Sequence, residues 1–146
     1  MAYNDLVSSV QLKSIRLAKL NYSRKLPALS EVPPEVAISV NTDAVINERE
    51  DRPPFTVVVN FGFAVKGNAV HGQRRTLFAI TGSYDILYVF PGLKEVLLAK
   101  EDLDTFAKLN GQLNVWPYLR KTVADAIQAM GFPELLIRVR RFNAKS

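Results

Sequence analysis

Few residues of this sequence are equipped for chemistry, and their spacing does not combine them. His71 is the single histidine, and there is no cysteine. His71 stands in a glycine-flanked loop, where a general base would need an orienting partner that the sequence does not supply. Ser8, Ser9, Ser14, Ser30 and Ser83 lack the strand–turn–helix setting of an activated serine. Glu48, Glu50 and Asp51 read as a charged turn, and Asp102 and Asp104 as residues of a helix start. Neither group has the spacing of a metal-binding loop, and the glycines do not form a phosphate loop. The expectation is a protein that is not an enzyme and uses no metal or cofactor.

Charge offers a different chemistry. The 146 residues carry 19 Lys+Arg against 14 Asp+Glu, a net charge of +5. Lys13, Arg16, Lys19, Arg24 and Lys25 make the N-terminal segment basic, and Arg138, Arg140, Arg141 and Lys145 do the same near the other end. Such ends suit a polyanion. They equally suit solvated strand faces, and no nucleic-acid fold signature accompanies them. A large apolar and aromatic complement remains. Tyr22, Phe61, Phe63, Phe78, Tyr84, Tyr88, Trp116 and Tyr118 exceed what one face of a small sheet hides. Either they fill a core and an oligomer interface, or some line a groove for another polypeptide.

The elements that position these residues follow from periodicity. Val10 to Tyr22 alternates but changes phase twice: Val10 and Leu12, then Ile15 and Leu17, then Leu20 and Tyr22. Bulges absorb such slips, so a long, bent first strand is expected. Val36, Ile38 and Val40 mark a second strand, followed by a charged turn from Asn47 to Pro54. Phe55, Val57, Val59, Phe61, Phe63 and Val65 give the clearest strand. A loop from Lys66 to about Gln73 leads to a fourth strand, Thr76 to Ile80, continued from Tyr84 to Phe90 past a kink at Gly82.

The period then becomes helical. Leu103, Phe106 and Leu109 fit one helix with Asp102 as cap, ended by Asn110-Gly111. Asn114 fits the cap of a second helix with Pro117 in its first turn. Leu119, Val123, Ile127 and Met130 form its apolar stripe, and Gly131 and Pro133 end it. Leu135, Ile137 and Val139 suggest a short terminal strand. The fold class expected is α+β: a four-stranded antiparallel meander sheet packed on a long helix of the C-terminal half, in an oligomer. Residues 9–142 form one domain, with flexible ends at 1–8 and 143–146. No apolar run is long enough for a membrane span. The first residues have no signal-peptide pattern, so a cytoplasmic protein is expected.

The order of these parts carries a resemblance. Asn114-Val115-Trp116-Pro117-Tyr118-Leu119-Arg120, a helix, then Gly131-Phe132-Pro133-Glu134-Leu135 resembles the SecB protein-export chaperone family. Val10-Gln11-Leu12 with Ile15 and Leu20-Asn21-Tyr22 looks like the family's first strand, and Pro34-Glu35-Val36 with Ile38 and Val40 like its second. The resemblance implies an ATP-independent holdase, a dimer of dimers, that binds unfolded preproteins in apolar grooves for Sec-dependent export. Val36, Ile38 and Val40 match the family's client-contacting positions. Phe78 and Trp116 are added here as groove aromatics, with a core role as the alternative. The family's acidic contacts to the SecA motor align with Lys19, Ser23 and Ala79, none of them acidic, so the resemblance does not carry the motor contact over. Lys121, Val139 and Arg141 are further departures from the pattern. Within the family the alternative is a chaperone dedicated to one client, such as an antitoxin. From other classes, a basic polyanion binder and a small-ligand enzyme are the competing readings.

Overall fold

The alternating run from Phe55 becomes the centre of the fold. The computed structural model describes residues 9–33, 35–72, 75–91, 99–132 and 143–144. Its elements are β1 (Gln11–Arg24), β2 (Val36–Glu50), β3 (Phe55–Ala69), β4 (Thr76–Phe90), α1 (Lys100–Ala129) and a two-residue β5 (Asn143–Ala144). Along β3 every second residue from Phe55 to Ala69 is buried on the helix side, while the alternate residues are half-buried or exposed. An antiparallel sheet packed on one side gives this alternation.

The strand order is β1-β4-β3-β2-β5. β2, β3 and β4 form a meander of antiparallel hairpins. β1 departs from a simple meander: it pairs antiparallel with β4 instead of β2. The chain after β1 therefore crosses the end of the sheet. Lys25 and Leu26 both donate backbone hydrogen bonds to the Leu77 carbonyl, and the Leu26 side chain is buried there.

β1 contains register shifts between Leu12 and Ser14 and between Leu17 and Lys19. These fall at the two phase changes of its sequence. Because each shift inserts one residue, Leu12, Ile15, Leu17, Leu20 and Tyr22 pair with Tyr88, Ile86, Tyr84, Gly82 and Ile80, and all share the helix side.

Three expectations about boundaries give way to packing. The charged turn shrinks to residues 51–54, because Glu48, Arg49 and Glu50 extend β2 along β3 at the sheet's edge, where charged side chains reach water. Gly67 belongs to β3 and not to a loop; a Cβ there would lie 2.1 Å from the Phe78 ring, so the glycine makes room for that side chain. β4 runs unbroken through Gly82, where a Cβ would lie 2.4 Å from the Lys19 carbonyl oxygen of the bulged β1.

The two expected helices are one. Asn110 and Gly111 do not break α1, and Asn114 is no cap. Gly111 is buried, with its missing Cβ 3.2 Å from the Phe61 ring and 3.6 Å from Ile86, so the helix lies close to the sheet. Asn114 accepts a 2.7 Å hydrogen bond from the Tyr88 hydroxyl. The N-cap is Ala99, and Asp102 sits in the first turn without capping. Leu103, Ala107, Gly111, Val115, Leu119, Val123 and Ile127 are all buried, a ridge with a strict spacing of four. Leu109 lies off that ridge and is exposed. Pro117 withholds its hydrogen bond from the Leu113 carbonyl, and both residues are on the outer face, where water can take that bond. The helix ends at Gly131 with φ +84°, as its C′ position requires. Arg24 closes this end: its guanidinium donates to the Met130 and Leu26 carbonyls at 2.7 and 2.9 Å and lies 4.8 Å over the Phe132 ring. The possible strand at Leu135, Ile137 and Val139 lies outside the described residues. Asn143–Ala144, expected within a flexible end, pair in parallel with Asn41 and Thr42.

Candidate functional site

An α-helix cannot cover a four-stranded sheet, and α1 crosses this one obliquely. Its first turns lie beside Asp43–Arg49 of β2 and its last turns beside Leu17–Tyr22 of β1. Among the described residues, two partly covered surfaces remain on the helix side, one along each outer strand.

Along β2, Val36, Ile38 and Val40 point to the helix side, where they are half-buried against the core. Further along, β2 and the helix bound a cleft of about 510 Å³ lined by Asp43, Ala44, Val45, Ile46, Arg49, Lys100, Leu103, Asp104 and Lys108. Lys100, Asp104 and Lys108 recur every four residues. The same row continues through Gln112 to Trp116, which places Trp116 on the flank of α1 that looks toward β2. Trp116 is half-buried and packs on the core. Four of the five expected groove residues, Val36, Ile38, Val40 and Trp116, thus lie along one side of the molecule. Phe78 does not join them. It is fully buried, stacked 5.1 Å from Phe132 and pressed on Gly67, and offers no surface to a partner in this chain. Phe61, Phe63, Tyr84 and Tyr88 are core as well.

Along β1 the surface is more exposed. Leu12, Leu17, Leu20 and Tyr22 retain 43, 46, 39 and 42% of their accessible area. Leu17, Leu20 and Tyr22 form a shallow cleft of about 330 Å³ with Thr122, Asp125, Ala126 and Ala129. Sequence reasoning did not single out Leu12, Leu17 and Leu20 as a surface. The phase slips were the available signal: once the bulges are inserted, all the apolar residues of β1 fall on the helix side, and one oblique helix does not reach them all. Leu109 and Leu113, with exposures of 53 and 74%, add an apolar ridge on the outer face of α1.

Beside the β1 cleft, the Tyr84 hydroxyl shares a short hydrogen bond with Thr122. Burial pushes its pKa above the usual 10.0, and the Thr122 bond offsets part of that rise.

The helix-free side of the sheet holds Lys19, Ser23 and Ala79 together: Lys19 pairs with Ser83 and Ser23 with Ala79 on adjoining strands. Lys66 pairs with Ala79 from the other side. Arg16 pairs with Asp85, which accepts a 3.0 Å hydrogen bond from Asn60. Basic and acidic groups therefore alternate across this face, with Asp43 toward β2. His71 is exposed, with Nε2 3.3 Å from a Glu35 carboxylate oxygen. Among the described residues no three His, Asp or Glu side chains gather as a metal site would require, and no helix is long and apolar enough to cross a membrane.

No family model matches the chain, and no curated protein matches it. Solved structures do. The Mycobacterium tuberculosis SecB-like chaperone Rv1957, solved in complex with a ChAD peptide from the Rv1956 HigA1 antitoxin, is similar with a TM-score of 0.77 at 16% identity, over 94% of this chain and 95% of that one. A protein of unknown function from Streptococcus agalactiae matches with a TM-score of 0.39 at 12% identity, over 88% of this chain and 96% of that one. The four antiparallel strands and the long helix of this chain have the SecB-like fold.

Proposed function

We propose that this protein is an ATP-independent chaperone that holds non-native polypeptide along the helix side of β2. The observation that carries the reading is the line of half-buried apolar residues Val36, Ile38 and Val40, with Trp116 on the facing helix flank, in a fold shared with a chaperone solved on a client peptide. Burial of about 25 cal/mol per Å² of apolar surface holds an extended chain without reading its sequence. Several such weak contacts made together in one particle hold a chain more tightly than any one of them does.

Service to a dedicated client, such as an antitoxin, is favoured over delivery to the export motor. Lys19, Ser23 and Ala79 share one face but present a cation where the motor's basic tail needs acids, and like charges slow encounter. The same reading includes a cytoplasmic homo-oligomer, a dimer of dimers, that covers the apolar surface of β1 and the Leu109–Leu113 ridge.

The test is light scattering of a chemically unfolded protein diluted with and without this chain, at low and high salt. Suppression at both salts is expected. Ile38→Asp should abolish it while particle size and melting temperature stay near those of the parent. A polyanion binder would instead lose its ligand steeply with salt. Absence of suppression at either salt removes the general holdase.

A further inference from the structure

Basic and acidic groups alternate across the helix-free side of the sheet as a whole, but not over one block of it. One end of that side carries Val58, Leu87 and Val89 beside Glu48 and Glu50. Toward the other end the register assembles a different surface from β1, β4 and β3. Lys19 pairs with Ser83 of β4, and Asn21 with Thr81. Two residues further along, Ser23 pairs with Ala79, and Lys66 of β3 lies on the far side of Ala79. The remaining β3 positions of the block hold only glycine and alanine. Lys19 and Lys66 therefore stand at opposite corners, about 16 Å apart at the backbone. Both are exposed, no acid lies within the block, and among the described residues neither lysine forms an ion pair. Ser83, next to Lys19, is only 7% exposed, and its hydroxyl has no hydrogen-bond partner. Buried hydroxyls are nearly always paired, so this one marks a place for an incoming polar group.

From this we propose that the block docks an extended acidic segment of a partner protein. One carboxylate of the segment meets Lys19 and accepts a hydrogen bond from the Ser83 hydroxyl. A second, about five residues further on, meets Lys66. Asn21, Ser23 and Thr81, exposed between the two lysines, bond the main chain of the segment. Two acids border the block: Asp85, opposite Arg16, and Asp43, beyond Gly62 on β2. They disfavour a nucleic acid, whose phosphates come in unbroken runs. The block also offers no aromatic ring on which bases could stack. The site lies on the opposite side of the sheet from Val36, Ile38 and Val40, so it does not rest on the chaperone reading, and both surfaces can be occupied at once.

The probe is a fluorescent peptide of four Thr-Glu repeats, titrated with the full chain and read by anisotropy, beside a peptide of four Thr-Lys repeats. The Glu peptide should bind and the Lys peptide should not. Lys19→Glu with Lys66→Glu should weaken the Glu peptide at least tenfold and bind the Lys peptide instead, with a melting temperature near the parent's. Lys19→Ala with Lys66→Ala reads the same loss if the reversal unfolds the chain. Ser83→Ala should weaken the Glu peptide about fivefold, and Ile38→Asp should leave it unchanged. No binding of the Glu peptide overturns the proposal. Binding that survives both double variants does so as well, because the peptide then sits elsewhere on a basic chain. Loss of binding with Ile38→Asp would move the peptide to the helix side of β2 and equally sink the idea. Tighter binding of a duplex RNA than of the Glu peptide, abolished by the same lysine substitutions, would replace the acidic protein partner with a nucleic acid.

Discussion

The two outer strands face the same helix and yet differ in what they leave exposed. β2 shows half-buried Val36, Ile38 and Val40, a mixed-charge cleft and an edge that already takes a strand. β1 shows four larger side chains each about two-fifths exposed, a shallow apolar cleft and an edge bent by two bulges. The difference follows from the oblique path of α1. Its buried ridge recurs every four residues, and a row of that spacing is inclined to the helix axis. A helix packed on such a row covers β2 at its start and β1 near its end, and leaves a corner open beside each. A mixed, partly covered surface suits reversible contact with another chain. A broad, apolar, backbone-guarded surface suits a permanent one, as oligomer interfaces are more apolar than transient ones.

The largest effect that would break this contrast is structural. Gly82→Ala pushes a methyl group into the Lys19 carbonyl and the Phe63 ring, so β1 must move from β4. We expect a loss of about 3 kcal/mol and a fall in melting temperature of roughly 10 °C, read by thermal denaturation. A neutral result would mean that β1 is not held at this register.

Next comes the double variant Leu17→Asp with Leu20→Asp. It should leave the monomer folded and reduce particle size in sedimentation, while client binding per chain falls far less than with Ile38→Asp. The reverse pattern would exchange the roles assigned to the two strands.

The smallest effect sits where the helix meets the β1 side. Tyr84→Phe removes the hydrogen bond to Thr122 and should cost about 1 kcal/mol at neutral pH. It should also flatten the alkaline stability curve. The folded-state pKa of Tyr84 lies above the unfolded value, so its contribution is intact below pH 10 and is lost as pH rises through the folded value. Denaturant midpoints measured from neutral pH to about pH 11 should fall more for the parent than for the variant.

Much of the fold was legible because burial writes a period into the chain. The alternation of β3, the two slips of β1 and the stripe Leu119, Val123 and Ile127 each survive folding unchanged in meaning. The half-buried face of β2 was legible at Val36, Ile38 and Val40 because an alternating strand has one apolar face. It was not legible at Phe78, since an aromatic residue in a strand reads the same whether it lines a groove or presses on a glycine across the sheet.

Local rules misled where distant atoms decided. Asn110-Gly111 reads as a helix break, but Phe61 and Ile86 fill the space where a side chain would be, and the helix continues. Arg24 reads as part of a basic patch, but it donates to the Met130 carbonyl 106 residues away and closes the helix end.

Residue types and their spacing determined that this chain forms an antiparallel sheet under a helix with an apolar surplus, because side-chain periodicity is a local property of the backbone. Only the tertiary structure decided which apolar residues stay open to a partner. That depends on the angle at which one helix crosses four strands, and on which strand the first one joins. Both are set by packing between residues far apart in the chain.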